Sequence, residues 1–522
     1  MYFLKKDETG TKMKDLVVGI DSSTQSTKAI AWTKTGEIVA EGRNPVELHN
    51  PRLYWFEQNS RDWWDSCRIA LQQLTNQVDP GRIAGISISN QRETLAFLDI
   101  EGNDVRPAMI WLDERSRQQV ADLSSQIGAD VIHNITGRPP DTTPALYRIA
   151  WLKENEPDAF AKTHCFTDVQ AFLVSQLSGK LKTGWFSADP LGYFDIRKKV
   201  WSQTLLDFLE LSPDRFPNPH APATMIGSVT PDAARQTGLA PDTRIFAGGG
   251  DGQCAALGTN CISPKRAYIN LGTAVVSGVW SPECINSKAW RTEISPTGEG
   301  YILETCLKSG AFLINWFVDQ FLPGDRGAED FFNKIEQKAR QIPIGSDGLM
   351  TLPYWSGVMN PHWNPNGRGC FIGLGGDHTP AHLYRSILEG MCLDQAQATR
   401  AVERETGLQI EKFVAIGGGA ASPLWIRILA DATGKDVAIS DTVEASALGA
   451  AMLAGCGAGW FSSCNEAAEA MSGKTKTVAP NPKVRQTWDE LLAIYGRLFP
   501  DNENTFNDLV NFAVKSAKVN KI

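Results

Sequence analysis

Hydrophobic positions along the chain fall into short apolar runs set between polar turns and longer amphipathic stretches. The first run, DLVVGI (15–20), passes through the polar turn DSSTQST (21–27) into a second, KAIAWT (28–33), and Gly36 then turns the chain into IVAEGRN. Apolar runs this short, bounded by Gly, Ser and Thr, predict strands joined by hairpins. A helical stretch carrying Trp63 and Trp64 comes next, then the strand AGISIS (84–89). Strand and helix alternate from there, which predicts an α/β domain.

Near residue 243 the plan starts again. RIFAGGG runs as a strand into a glycine turn, CAALG begins a helix, and RAYINLGTAVVSGVW (266–280) repeats strand, small hydroxyl-bearing turn, strand. Beside VVGIDSSTQSTKAIAW this is the same design, so two related α/β halves are predicted, joined near residues 255–265 and each offering one turn to a shared cleft. A helix is predicted over 380–406, with Thr379 as N-cap, Pro380 in its first turn and Gly407 as its stop. The strand KFVAIGGG (412–419) leads into the helix SPLWIRILADATG (422–434), and EASALGAAMLAGCGAG (444–459) has side chains small enough for close helix packing. The tail after about residue 500 is polar, and residues 1–13 read as a short solvated extension.

With 522 residues the chain is long enough for at least two large cores. Its 51 basic and 59 acidic residues give a net charge of −8, which leaves no basic field for nucleic acid or an anionic membrane. No apolar run reaches the ~18–20 residues that span a bilayer, and the N-terminus lacks the apolar core of a secretory signal. Ten cysteines without C-x-x-C spacing read as reduced thiols of a cytoplasmic protein. The seven histidines form no H-E-x-x-H, which argues against a protein-held catalytic zinc.

Chemistry concentrates in a few turns. Asp21-Ser22-Ser23-Thr24-Gln25-Ser26-Thr27-Lys28 places hydroxyls, amides and one cation behind a carboxylate, as phosphate and a hydrated Mg²⁺ require. Taken alone, it is equally a hairpin rich in Ser and Thr for conformational reasons; the matching turn at Leu271-Gly272-Thr273 tips the balance toward phosphate. SGKTKT (472–477) has Ala468 where a P-loop needs glycine, and GGGAAS (417–422) has Ser422 where G-x-G-x-x-G needs its last glycine. Asn90-Gln91-Arg92-Glu93-Thr94 sets five hydrogen-bonding side chains between apolar strands, suited to a polyol, although a surface ion pair is the plain alternative. In IWLDERSR (110–117), Trp111 could stack on a sugar face or simply fill the core, while Asp113 and Arg115 could orient the loop.

GIDSSTQSTKA, WFEQNSRDWW, NQRETLAFLD, GGGDGQCAALG, INLGTAVVSG, LPYWSGVMNPHWNPNGRG and IGGGAASPLW, followed by ASALGAA, resemble in order and spacing the signatures of the FGGY carbohydrate kinases over roughly residues 15–490. The resemblance implies an α/β fold of two actin-like (ribonuclease H-like) domains, with mixed sheets flanked by helices around a central cleft. The division it suggests is an extension at 1–13, a substrate-binding domain at 14–258, a nucleotide-binding domain at 259–490 and a C-terminal helix or tail at 491–522. It also implies ATP with Mg²⁺, and phosphorylation of a hydroxyl on a small sugar or polyol. Carried onto these residues, it makes Asp251 the general base and Asp21 the acid near Mg²⁺, through water or directly. Ser23, Thr24, Gln25, Ser26 and Lys28 would surround the transferring phosphoryl group, with Gly272 and Thr273 on phosphate from the second domain. Gly310, Gly418, Gly419 and Ser422 would lie along the nucleotide, and Gln91, Arg92, Glu93 and Trp111 would meet the substrate.

The family's substrates divide the motifs. NQRET resembles the glycerol kinase form, whereas LPY-x-SG with PH-x-NP leans toward xylulokinase. After the base, glycerol kinases carry Gln and xylulokinases Asn; here Gly252 follows Asp251, which leaves Gln253 to replace a lost contact or leaves room for a larger substrate. Thr143 stands where glycerol kinases place a Tyr. Smaller side chains at 143 and 252 favour a pentulose such as xylulose over glycerol. A non-catalytic actin-like nucleotide-binding protein and a sugar sensor are the other classes, both disfavoured by the Asp21, Asp251 and Thr273 set. A homodimer stands open as the assembly.

Overall fold

The computed structural model describes residues 14–519 apart from 325, 329 and 443; the extension expected over residues 1–13 lies outside them. Two mixed sheets of matching order form the two halves. In the first, β1 (Leu16–Ser22), β2 (Ser26–Trp32) and β3 (Ile38–Pro45) form an antiparallel meander. Beyond β1 lie β4 (Ile83–Asn90) and β5 (Arg244–Gly250), both parallel, giving the order β3-β2-β1-β4-β5 with Met225–Ser228 at the edge. β1 and β4 are buried along their whole length, which explains their near-continuous apolar runs.

In the second half β6 (Arg266–Leu271) and β7 (Val275–Ser281) repeat the hairpin, and β8 (Arg291–Ile294) and β9 (Tyr301–Leu307) extend it antiparallel. The parallel strands β10 (Lys412–Ile416) and β11 (Asp436–Ser440) lie on the other side of β6, followed by the edge strand β12 (Thr475–Val478). The order β9-β7-β6-β10-β11 matches that of the first sheet, so the duplicated strand–turn–strand pattern is a duplicated sheet.

Seven helices position the site: α1 (Ser60–Thr75), α2 (Asp251–Gly258), α3 (Ala311–Phe321), α4 (Pro380–Thr406), α5 (Pro423–Thr433), α6 (Ala445–Gly457) and α7 (Arg485–Val519). Thr379 caps α4 and Gly407 ends it in the left-handed region, φ +73°, as the sequence predicts. The polar tail is the continuation of α7, which buries Phe499 and Phe506 in the second core.

Two helices, α2 and α6, join the two sheets. α2 follows β5 yet touches β6 and β7, and α6 follows β11 yet packs on β1 and β4. The two helices meet through bare backbone: a Cβ on Gly449 would stand 2.0 Å from the Cys254 carbonyl oxygen, and one on Gly258 2.1 Å from that of Ala445. Gly19 in β1 is needed for the same reason, since a Cβ there would lie 1.8 Å from the Ala447 carbonyl oxygen. Gly449→Ala, which adds helix propensity of about 1 kcal/mol in an open helix, is expected here to lower stability by roughly 1–3 kcal/mol because the helices must part. Gly496→Ala in α7, where nothing lies within 4 Å of the new methyl, is the control. Thermal midpoints should fall for the first variant and hold or rise for the second.

Candidate active site

Both sheets bring the carboxyl ends of their parallel strands to one cleft, where ligands of open α/β sheets bind. In the first domain Asp21 pairs with Ser89, Ser22 with Asn90, and Gly250 with Asn90. Asp21, the NQRET segment and Asp251 therefore emerge side by side from β1, β4 and β5. In the second domain Asn270 pairs with Ile416, which sets the Gly272–Thr273 turn beside Gly417–Gly419.

Asp21 is almost wholly buried and accepts a hydrogen bond from Ser89 Oγ at 3.0 Å. Burial, and next the charge of Asp251, push its carboxyl up to about 7, against Ser89 and Lys28. Ser23 closes the first turn, its N–H and Oγ donating to the Ser26 carbonyl at 3.0 and 2.9 Å. Thr24 is half-buried, Gln25 exposed and Ser26 buried. Lys28 crosses to the second domain and pairs with Glu444 at the start of α6. Gln91 lies inside a network, donating to Gln58 at 2.8 Å and accepting from Thr24 at 3.2 Å, while Trp111 Nε1 donates to Thr24 Oγ1 at 2.9 Å.

Asp251 opens α2. Its side chain keeps 40% of its surface accessible, and its Oδ1 forms an ion pair with Arg92 Nε at 2.9 Å and accepts from the Gly252 N–H at 2.8 Å. Burial raises its carboxyl, opposed by Arg92 and helped by Glu304 and Glu93. Arg92 and Glu93 do not stand free for a substrate. Arg92 Nη1 donates to Glu293 at 2.8 Å and to Glu304 at 2.9 Å, both on the second domain. Glu93, with φ +57°, accepts from Arg138 at 2.7 Å and from Arg291 at 3.1 Å. Arg138 also pairs with Glu293, and Arg291 with Glu304.

Arg138, Arg291, Glu293 and Glu304 were not among the residues the motifs singled out. For Glu304 the one local signal is a charge inside a strand-like apolar run, YILETCL.

On the second domain the Gly272–Thr273 turn is closed by Gly310, whose N–H donates to the Thr273 carbonyl at 2.8 Å. A Cβ on Gly310 would stand 2.6 Å from the Gly272 carbonyl oxygen, so only glycine lets α3 start this close to the turn. Ser309 beside it carries a buried hydroxyl without a partner. Gly418 is exposed with open space around it, whereas Gly419 lies against the Trp425 ring. Ser422 caps α5, accepting from Trp425 N at 3.0 Å and donating to Glu336. SGKTKT lies apart, on the exposed edge strand β12.

Between the domains runs a cavity of about 510 Å³, walled by Trp111 and Thr143 on one side and Thr273, Lys308, Phe312 and Trp355 on the other. The volume suits a small ligand; Asp251 is not part of this wall. Trp111 thus faces the cleft, held by a rigid base. Arg115 pairs with Asp113 and Glu57 at 2.7 Å each and lies 3.8 Å from the Trp55 ring centroid, while Asp113 accepts from Phe56 N–H. Two expectations need correcting. Gln253 is fully buried and donates to Asp189 at 3.3 Å, so it replaces no substrate contact. Gly252 leaves no room either: a Cβ there would stand 2.6 Å from Glu304 Oε2 and 3.0 Å from Arg92 Nη2, which fill the space.

Residues 16–258 match the model of the FGGY family of carbohydrate kinases, N-terminal domain, and residues 267–458 match its C-terminal domain. The chain is 29% identical over 511 residues to a xylulose kinase of Bacillus subtilis, covering 97% of this chain and 99% of the relative. It is 24% identical over 507 residues to a gluconokinase of the same organism, covering 96% and 98%. The crystal structure of xylulose kinase from Rhodospirillum rubrum superposes with a TM-score of 0.87 at 24% identity, over 94% of this chain and 100% of that one. Duplicated sheets, a two-domain cleft and family matches over both halves lead to one conclusion: the chain belongs to the FGGY family of carbohydrate kinases.

Proposed function

We propose that the chain transfers the γ-phosphoryl group of ATP, with Mg²⁺, to a hydroxyl of a small ketose, xylulose ahead of glycerol. The observation that supports this reading is that Asp21, the NQRET segment and Asp251 end side by side on one sheet, while Thr273 of the second domain's turn lines the inter-domain cavity opposite Trp111. The second domain suits a nucleotide, with Gly310 and Gly418 leaving backbone open beside the Gly272–Thr273 turn. Among the described residues no cluster of three or more His, Cys, Asp or Glu side chains could cage a metal. One buried carboxylate beside phosphate-binding turns instead suits Mg²⁺, which keeps waters and takes phosphate oxygens. Asp21 would hold it, and the ion, when bound, supplies neutralising charge across the phosphates.

Phosphoryl transfer asks the protein mainly for alignment and charge. Thr273 offers its hydroxyl from the cavity wall, Ser23 and Thr24 would give up their partners Ser26 and Gln91 to meet phosphate, and Asp251 accepts the substrate proton as the new P–O bond forms. Xylulose is favoured by the relatives' names and by Thr143, whose short side chain faces the cavity.

In an ATP-coupled assay with xylulose, gluconate and glycerol, xylulose should give the highest kcat/KM; glycerol in first place would overturn the substrate assignment. Asp251→Asn should lower kcat by about 100-fold or more, the scale of a positioned general base. Asp21→Asn should abolish activity yet stabilise the ligand-free protein. Because the Asp21 carboxyl is raised to about 7, the folded state binds a proton between about pH 4 and 7 that the unfolded chain has lost. Stability from this group is therefore full below pH 4 and lost as pH rises through 7. Calorimetry should show a higher thermal midpoint for Asp21→Asn at pH 8, with the gain at least halved by pH 5.

A further inference from the structure

Glu304 sits in the middle of β9 with no solvent exposure, yet its carboxylate is saturated. It accepts from Arg92 Nη1 at 2.9 and 3.0 Å, from Tyr268 Oη at 2.6 Å, and from Arg291. Burial works against its charge, but Arg92, Arg291 and the Tyr268 hydroxyl outweigh that and hold the group down at about 2. With Glu293 it occupies one end of the Arg92 guanidinium, leaving the Nε edge to form an ion pair with Asp251 at 2.9 Å. The division matters chemically. An Arg92 without its glutamates could turn both edges on Asp251, pairing with it fully and weakening it as a base. Position 252 records the same arrangement, since Glu304 occupies the volume that any side chain there would take.

We propose that Glu304, delivered by the second domain, is the positioning residue for Asp251, and that residue 252 is glycine to admit it. The inference rests on Asp251 being the base. Glu304 touches no reacting atom; it fixes the direction and the share of Arg92 charge that reaches the carboxylate. Because Arg92 and Asp251 belong to the first domain and Glu304 to the second, the base is set only with the domains together.

The test compares Glu304→Gln, Gly252→Ala, their double variant and Asp251→Asn, assayed with MgATP and the best ketose of the panel. Glu304→Gln keeps the shape of the side chain and removes its charge; kcat should fall on the order of 10- to 100-fold, as for a displaced catalytic group, with KM for the ketose changed less than about 3-fold. Gly252→Ala keeps every ionic partner and displaces Glu304 by its methyl, so it should lose kcat in the same way. The double variant should be no worse than the poorer single, because both break one contact. If Glu304→Gln fails to fold, Gly252→Ala carries the test by itself. Wild-type kcat in Gly252→Ala or in folded Glu304→Gln, a loss confined to KM, or losses that multiply in the double variant would overturn the assignment of Glu304. An active Asp251→Asn would instead overturn the reading of the base, which keeps the two failures apart.

Discussion

Burying the Arg92 guanidinium at the junction of two domains would cost several kcal/mol without carboxylates around it, and they come from both sides: Asp251 from the first domain, Glu293 and Glu304 from the second. Arg138 and Arg291 extend the lattice to Glu93. A charge cluster of this kind tolerates few arrangements, because losing one member leaves another buried and unpaired at a cost of about 3–5 kcal/mol. It therefore dictates how β8 and β9 stand over the NQRET segment, and with them the direction of the Asp251 carboxylate.

The same economy governs the rest of the cleft. Parallel strands end together, so Asp21, Arg92 and Asp251 are neighbours without any loop having to reach. The second sheet repeats the device with Gly272 and Gly417. Burial and the neighbouring Asp251 charge push the Asp21 carboxyl up, a cost in stability at neutral and higher pH. Trp111 stands on a scaffold of its own, with Arg115 packed on Trp55 and tied to Asp113 and Glu57.

Much of this was legible in the chain. Apolar runs of strand length, the Thr379 cap and the Gly407 stop are local signals, and the structure follows them. The two hydroxyl-bearing turns were readable because each repeats the other. What escaped was the partnership of charges: Arg92 meets Glu293 and Glu304 across 201 and 212 positions, and no local pattern announces such a meeting. Gly252 was misread for a related reason. A missing side chain looks like empty space in a sequence, but here another strand's carboxylate owns that space. Gln253 followed the same error, since burial against Asp189 is invisible one residue at a time.

The small-residue stretch ASALGAA looks chemical because it travels with catalytic motifs, yet its glycine and alanines meet Cys254, Gly258 and Gly19 through backbone alone. It is a bearing surface. Its vocabulary is set by how closely two helices and a strand must lie, and phosphate or sugar has no part in that choice. A protein that kept the duplicated architecture and lost its acids would therefore still carry this stretch, while one that kept the acids on another scaffold would not. What the segment contributes is mechanics: it lets two helices and a strand lie backbone to backbone.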